Sequence, residues 1–502
     1  MPDIVINESG VLKLLNNLNP FKAAGPDGVS SRFLKEFANQ IVPGLTLVMQ
    51  ASLDQSQIPN DWRHALVAPV FKSGKNDKSK AENYRPISLT SVSCKVMEHI
   101  IHSSIISHLD STNVLTDTQH GFRKNRSCVS QLIMTVNDLA KSLNEAKQVD
   151  SILLDFSKAF DKVDHDKLCQ KLEHYGIRGK AHSWVKNYLA NRTQTVVING
   201  ENSESAPVVS GVPQGTVLGP LLFLVYINDL PDLVTCKIRL FADDALIYRT
   251  IDSIQDALLL QNDLAKLITW ESNWSMEFNP DKCKVLRITN KRKTINQSYI
   301  MHNQILEVVD SAKYLGVHIH KKLSWNVHVN HTIKKANKTR CFLQRNLKSC
   351  SSEVKLQCYK TYVRPILEYA SVVWDPHTTT NVDKLEMAQR KAARFIHNDW
   401  RYTSSPTVML QNLNLKPLWQ RRRENKVKYM HKILHGSVAS LATMAPRARN
   451  VNLRLIPIHA RILSYQHSFL PSTINLWNNL PISIINDNNF DSFAKQIQAH
   501  SF

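Results

Sequence analysis

Three aspartates stand where their carboxylates could meet. The stretch from Lys237 to Tyr248, KIRLFADDALIY, is an apolar run, two adjacent aspartates and a second apolar run, which reads as a β-hairpin with Asp243 and Asp244 at its turn. Aspartate is a common turn residue, and an Asp-Asp turn taken alone usually does nothing except face water. A third acid gives it a second reading, because residues 151–156, SILLDF, form an apolar strand that closes on Asp155. If the two strands are neighbours in one sheet, the carboxylates have the arrangement that holds two divalent ions about 3.5–4 Å apart, one activating a hydroxyl and one stabilising a leaving phosphate oxygen. The chemistry is in-line phosphoryl transfer, in which positioning and charge neutralisation do nearly all the work.

The elements that must position these acids show as patterns. Apolar residues 129, 132, 133, 136, 139, 140 and 143 keep helical spacing ahead of the Asp155 strand. Residues 65–71 read as a strand, followed by the basic loop SGKNDKSKAEN and a return through Tyr84, Arg85, Pro86 and Ile87. Lys72 and Arg85 thus stand at the two ends of a loop, as a solvated hairpin tip or as a clamp for phosphates. Asp161, Asp164 and Asp166 read as loop and helix-start acids. TQTVVINGENSESAPVV has a polar hairpin pattern, and SGVPQGTVLGP, with its glycines and prolines, excludes a regular element before the buried helix LLFLVYINDL. Residues 254–268 mark another helix, and FNPDKCKVLRI and KYLGVHI read as short strands. At the N-terminus, VLKLLNNLNPFKAAGPDGVS gives a short amphipathic helix and a Gly-Pro-Asp-Gly turn. Beyond residue 320 the pattern is helical and basic: Val382, Leu385, Ala388, Ala392, Phe395 and Ile396 form one stripe, and Pro365 breaks or kinks the helix before it.

The composition sets outer bounds. A chain of 502 residues with 43% hydrophobic content is long enough for several packed subdomains. It has neither a run of about 18 apolar residues nor the basic start and apolar centre of a signal peptide, so a soluble, intracellular protein is expected. The eight cysteines show no C-x-x-C pair and no Cys-His cluster at zinc spacing, and most are expected to be small core residues. Of the net charge of +21, residues 321–502 carry +19, with 28 Lys and Arg against 9 Asp and Glu. Such asymmetry points to a polyanion, nucleic acid before a membrane surface, because no basic stretch carries a continuous apolar face.

At this point the residues carry a family resemblance. LLDFSKAFDKVDHDKL, SGVPQGTVLGPLLFLVYINDL and FADDALIY, in that order, resemble motifs A, B and C of the reverse transcriptases of LINE-type (non-LTR) retrotransposons, jockey-like elements included. KAAGPDGV, NYRPISL, QHGFRKNRS, FNPDKCK and KYLGV resemble the family's N-terminal extension, finger motifs, motif D and primer grip. VRPILEYASVVW, LEMAQRKAARFI and PLWQRRR resemble its downstream region. The resemblance implies an α+β right-hand polymerase: an N-terminal extension over 1–60, fingers and palm over 61–320, a thumb over 321–400, and a basic, mainly helical region over 401–502.

It also implies roles residue by residue. Asp155, Asp243 and Asp244 would bind two Mg2+ ions, with Mn2+ an alternative, and the carbonyl of Phe156 would be a further ligand. Phe160 matches the bulky side chain beneath the incoming sugar, where a ring leaves no room for a 2′-hydroxyl. Gln214 matches the motif B residue against nucleotide and template, and Gly215 and Gly211 allow close backbone approach. Lys72 and Arg85 would clamp the triphosphate. Lys282, with Lys284 close by, resembles the motif D lysine that protonates the pyrophosphate leaving group, and Tyr314, Leu315 and Gly316 the primer grip. The partners implied are an RNA template, a DNA primer, dNTP and an RNA–DNA hybrid along a basic thumb, in a ribonucleoprotein of nucleus and cytoplasm. The family's full-length proteins commonly carry an endonuclease ahead of the polymerase. This chain begins at the polymerase's own extension, so a truncated copy, a gene model or a domesticated fragment is expected. A catalytically silent nucleic-acid-binding relic is the alternative function, and an RNA-dependent RNA polymerase, which shares the palm acids, is a third.

Overall fold

Apolar runs become strands, and helical stripes become the helices that cover them. The computed structural model describes residues 1–72, 74, 76–438, 441, 454–500 and 502. Ser73 and Lys75 of the basic loop, and 439, 440 and 442–453 of the C-terminal region, lie outside the described residues. In chain order the first strands are β1 (His64–Phe71), β2 (Tyr84–Leu89), β3 (Gln148–Asp155), β4 (Arg192–Ile198), β5 (Glu201–Asn202) and β6 (Ala206–Val208). Then come β7 (Lys237–Phe241), β8 (Asp244–Ile251), β9 (Lys284–Ile288), β10 (Ile300–Met301) and β11 (Gln304–Ile305). The last are β12 (Glu307–Val309), β13 (Ser311–Tyr314) and β14 (Val317–His320). Two compact units interleave along the sequence: residues 1–122, 155–234 and 264–279 make the first, and 123–154, 235–263 and 280–502 the second.

In the first unit, β1 pairs antiparallel with β2 and parallel with β4, and β4 carries β5 and β6. The parallel pairing is possible because more than a hundred residues separate the two strands, ample for a crossover. The helix Glu8–Asn16 begins where Asn7 accepts a hydrogen bond from Gly10 N at 2.8 Å, an ordinary N-cap. The following turn needs its glycine, since a Cβ on Gly25 would stand 2.6 Å from Ser91 N. The longer helix Ala38–Gln55 lacked a readable stripe because its apolar positions are interrupted by Pro43, Gly44 and polar residues. Its Ser52 hydroxyl accepts from the buried Trp184 indole at 3.1 Å. The helix Leu218–Tyr226 is buried at every position except Pro220, as its continuous apolarity requires.

The second unit is built on the sheet β12-β9-β3-β8-β7. Strand β3 is central, antiparallel to β9 and beside β8, and most of its residues are buried. The helix Cys128–Asn144 buries the predicted stripe from Leu132 to Leu143 and starts with a capping box between Ser127 and Ser130. Leu139, Leu246 and Leu286 belong to the same apolar core as Trp374, Leu385, Phe395, Met430 and Trp477. Helices after residue 320 therefore share a core with the sheet. The apolar stripe of that basic region lies on the helix Thr379–His397, where all of it but Val382 is buried. Near Pro365 the chain passes through a π-helical turn, Tyr359–Val363, before the short helix Arg364–Glu368, a device that re-registers a helix where a proline removes a donor.

Three expectations need revision. KYLGVHI is a two-strand hairpin, β13 with β14, rather than one strand. In FNPDKCKVLRI only Lys284–Ile288 is strand, because the Asn-Pro-Asp sequence favours a turn. Four of the eight cysteines, not most, are buried. Among the described residues no helix is long and apolar enough to cross a membrane.

Candidate active site

Two of the three acids stand at the ends of adjacent strands of one sheet. Asp155 is the last residue of β3, Asp244 is the first of β8, and β3 and β8 are neighbours. Phe241 pairs with Asp244, which leaves a two-residue turn of Ala242 and Asp243. Ala242 takes a φ of +52°, a conformation that costs an L-residue roughly 1–2 kcal/mol and bends the hairpin tightly enough to present both aspartates. Asp155 is half-buried, while Asp243 and Asp244 are exposed. Carboxylates are the donors that a hard divalent cation selects, so the residue types fit such an ion. As placed, no three His, Cys, Asp or Glu side chains among the described residues form a ready metal-holding group.

Two buried networks brace this sheet. Asp138, on the helix Cys128–Asn144, accepts from Tyr248 Oη at 2.6 Å and Arg239 Nη2 at 2.9 Å, with Lys237 Nζ at 3.1 Å. Burial would raise its pKa, but the Tyr248 hydroxyl and the two cations hold it below the ordinary value. Asp150, on β3 and fully buried, receives Arg287 Nε, Tyr299 Oη at 2.9 Å and Gln148 Nε2 at 2.9 Å. Together they fix both flanks of the hairpin and of β3.

The residues matched to a nucleotide pocket lie in the first unit. The Phe160 ring is half-buried and stacks on Phe223, centroids 4.5 Å apart and planes 17° apart, with Phe122 edge-on at 6.4 Å. Its carbonyl accepts from Val212 N at 2.8 Å, and Gly211 N donates to Val163 O at 2.7 Å. These bonds stitch the loop after β3 to the glycine-rich loop. Gly211 is required there, because its Cβ would stand 2.8 Å from Asp161 Cα. Gln214 Nε2 donates to Asp161 Oδ1 at 3.2 Å, and Gln214 O accepts from Ser88 N on β2 at 2.7 Å. Gly215 has a φ of +103°, and a Cβ on it would stand 2.9 Å from Ser88 O.

Lys72 follows β1 directly and donates through Nζ to Glu82 O at 2.8 Å. Burial raises the Asp161 pKa, and Gln214, Lys158 and Lys72 oppose that rise, so the field of Lys72 reaches the Gln214 loop. Arg85 lies opposite Val70 in the β1–β2 register, exposed and with no ion pair or hydrogen bond to its guanidinium among the described residues.

Phe156 is buried, with its ring stacked on Phe278 at 4.3 Å. Lys282 is exposed in the turn before β9. Lys284 is engaged elsewhere, with Glu307 Oε2 at 2.6 Å and Asp281 O at 2.8 Å. Leu315 and Gly316 form the β13–β14 turn with φ of +44° and +84°, the pairing a tight hairpin turn demands. Tyr369 Oη donates to Leu315 O at 3.0 Å, and the buried Tyr314 hydroxyl receives Gln131 Nε2 at 3.4 Å.

Sequence reasoning missed Glu98 and underrated Asp161. The fully buried Glu98 carboxylate accepts from Val217 N at 2.7 Å and Leu218 N at 2.9 Å, capping the helix that follows the glycine-rich loop. An acid inside the apolar run VMEHII was the available signal. Asp161 showed none, since only the fold brings it to Gln214.

Residues 74–319 match the family model described as Reverse transcriptase (RNA-dependent DNA polymerase). The chain is 28% identical over 473 residues to the Probable RNA-directed DNA polymerase from transposon BS of Drosophila melanogaster, covering 89% of this chain and 51% of that protein. It is 27% identical over 451 residues to the RNA-directed DNA polymerase from mobile element jockey of the same species, covering 86% and 48%. The corresponding X-element protein is 28% identical over 438 residues, covering 85% and 48%. The chain thus spans about half the length of the curated relatives it matches. The chain is thus similar over residues 74–319 to the reverse transcriptase family, and along most of its length to RNA-directed DNA polymerases of the BS, jockey and X-element transposons.

Proposed function

We propose that the chain is an RNA-directed DNA polymerase that extends a primer on an RNA template. The observation that carries this reading is the sheet order, in which the strand closing on Asp155 lies beside the strand opening on Asp244. Asp155, Asp243 and Asp244 would hold the catalytic ions, and the Phe156 carbonyl would be a further ligand. Two Mg2+ ions, or Mn2+ in their place, supply Lewis acidity toward the primer hydroxyl and the leaving phosphate when bound.

The remaining work is done by the chain's own groups. Lys72, as a point charge, and Arg85, as a planar fork, bind the triphosphate from the β1–β2 hairpin. Phe160, seated on Phe223, excludes a 2′-hydroxyl by its volume. Gln214, oriented by Asp161, lies against nucleotide and template, with Gly215 letting the backbone come close. Lys282 protonates the pyrophosphate oxygen as the bond to it breaks. Tyr314, Leu315 and Gly316 hold the primer end. Residues 61–320 act as fingers and palm after the 1–60 extension, 321–400 as thumb, and 401–502 as a basic region along the RNA–DNA hybrid. Such a protein works inside the cell in a ribonucleoprotein.

Primer extension on an RNA template with dNTP and magnesium is the test. Asp243→Ala is expected to lower the rate by at least about 10²–10³-fold, the effect of removing a group that stabilises transition-state charge. Extension that persists in this variant would sink the assignment, and a folded, RNA-binding parent that never extends would make the chain a silent relic.

A further inference from the structure

Part of the downstream positive charge is inside the protein. On the helix Leu418–Leu434, Arg422 and Lys426 sit one turn apart with side chains only 1% and 4% exposed. Both turn to one carboxylate: Arg422 Nε donates to Asp375 Oδ1 at 2.7 Å, and Lys426 Nζ reaches Asp375 Oδ2 at 2.9 Å. Lys426 also donates to Ser472 Oγ at 3.0 Å. Two buried cations thus share one anion. The other two guanidinium nitrogens of Arg422, Nη1 and Nη2, are buried and have no hydrogen-bond partner among the described residues.

These groups line a hollow of about 400 Å³ in the second unit. His377 and His467 stand in its wall with rings stacked 4.5 Å apart and 6° from parallel. Trp419 is there too, with the Arg423 guanidinium 4.9 Å over its ring. An uncompensated buried charge is strongly unfavourable. A guanidinium with idle nitrogens matches the bidentate geometry of a phosphate. The size is that of a small-ligand site, and an indole beside an arginine is a surface on which bases stack.

We propose that this hollow, between Asp375 and Ser472, is an anion site that takes the phosphate of a nucleotide, either free or at the 5′ end of an RNA strand. None of the residues named for catalysis, nucleotide binding or the primer grip lines it, so it stands or falls separately from the catalytic assignment.

Thermal unfolding of the full chain at constant ionic strength tests the site. Inorganic phosphate and adenosine monophosphate, each at about a hundredfold excess over its Kd, are expected to raise the midpoint by about 2–3 °C over matched chloride. Arg422→Gln removes the surplus cation, so it is expected to unfold no earlier than the parent in phosphate-free buffer and to lose the ligand shift. A 5′-phosphorylated oligoribonucleotide that raises the midpoint more than its 5′-hydroxyl twin identifies a strand end as the source; equal shifts, with adenosine monophosphate still active, identify the free nucleotide. If Arg422→Gln does not fold, Arg423→Gln combined with His467→Phe is expected to weaken phosphate binding about tenfold. No shift beyond chloride with phosphate and with adenosine monophosphate, a full shift retained in Arg422→Gln, or unchanged affinity in the double variant overturns the proposal.

Discussion

At the scale of single residues, Phe160 has a packing role in the fold and a proposed role beside the sugar, and one substitution separates them. Its ring is held by Phe223 and Phe122, so truncation removes packing as well as volume. Phe160→Ala is expected to lower stability by roughly 2 kcal/mol, less than the ~3–5 kcal/mol of a fully buried ring. It is also expected to raise ribonucleotide incorporation relative to deoxynucleotide in single-turnover extension. Loss of stability with an unchanged sugar preference would leave Phe160 a core residue and nothing more. Lys282 and Lys284 are separated in the same way: Lys284 pairs with Glu307 across the β9–β12 edge, and Lys282 lies exposed in the turn before β9. Lys282→Met is expected to slow the chemical step, and Lys284→Met mainly to loosen the β9–β12 edge.

At the scale of elements, the proposed site rests on two backbone segments. The glycine-rich loop is pinned to β2 through Ser88 and to the Asp161 turn through Gly211. Gly215→Ala puts a side chain at a φ of +103°, 2.9 Å from Ser88 O, and is expected to cost about 2 kcal/mol or more. Circular dichroism melting would measure that loss, and intact stability would refute the close approach. The β7–β8 hairpin depends on Asp138, whose pKa is lowered from the ordinary 3.8 in spite of burial. A depressed carboxylate contributes stability that is present above its unfolded pKa and is lost as pH falls through the folded value. Hydrogen exchange in β7 and β8 is therefore expected to quicken below about pH 4, and Asp138→Asn to flatten that dependence. An acid dependence that survives the substitution would place the sensitivity elsewhere.

For the whole molecule, charge is the dominant variable. Residues 321–502 carry +19 while residues 1–320 carry +2, so a nucleic-acid duplex should bind mainly through its phosphates. Affinity for a template–primer is expected to fall by about 10³-fold between ~50 and ~200 mM salt. A filter-binding series would check it, and a flat salt response would refute a phosphate-tracking surface. The same region also shares its apolar core with the sheet. Core substitutions such as Trp374→Ala or Leu385→Ala should consequently unfold the sheet and the downstream helices together, at roughly 3–5 and 2–5 kcal/mol respectively.

The sequence by itself determined the local elements that carry chemistry. A carboxylate ending an apolar strand, a paired carboxylate between two apolar runs and a Gly/Pro-rich segment before a continuous apolar helix are all set by nearest-neighbour physics, namely burial period and turn stereochemistry. Motif order then supplied the family resemblance. Only the tertiary structure decided what pairs across long separations: β3 beside β8, Glu98 on the backbone of Val217 and Leu218, Asp161 on Gln214, and Asp375 between Arg422 and Lys426. Such pairings leave no periodic trace, because a buried polar group needs one partner of suitable chemistry and that partner can come from anywhere in the chain. The aspartates could be nominated from the sequence for that reason, whereas the groups that hold their strands and loops in place could not.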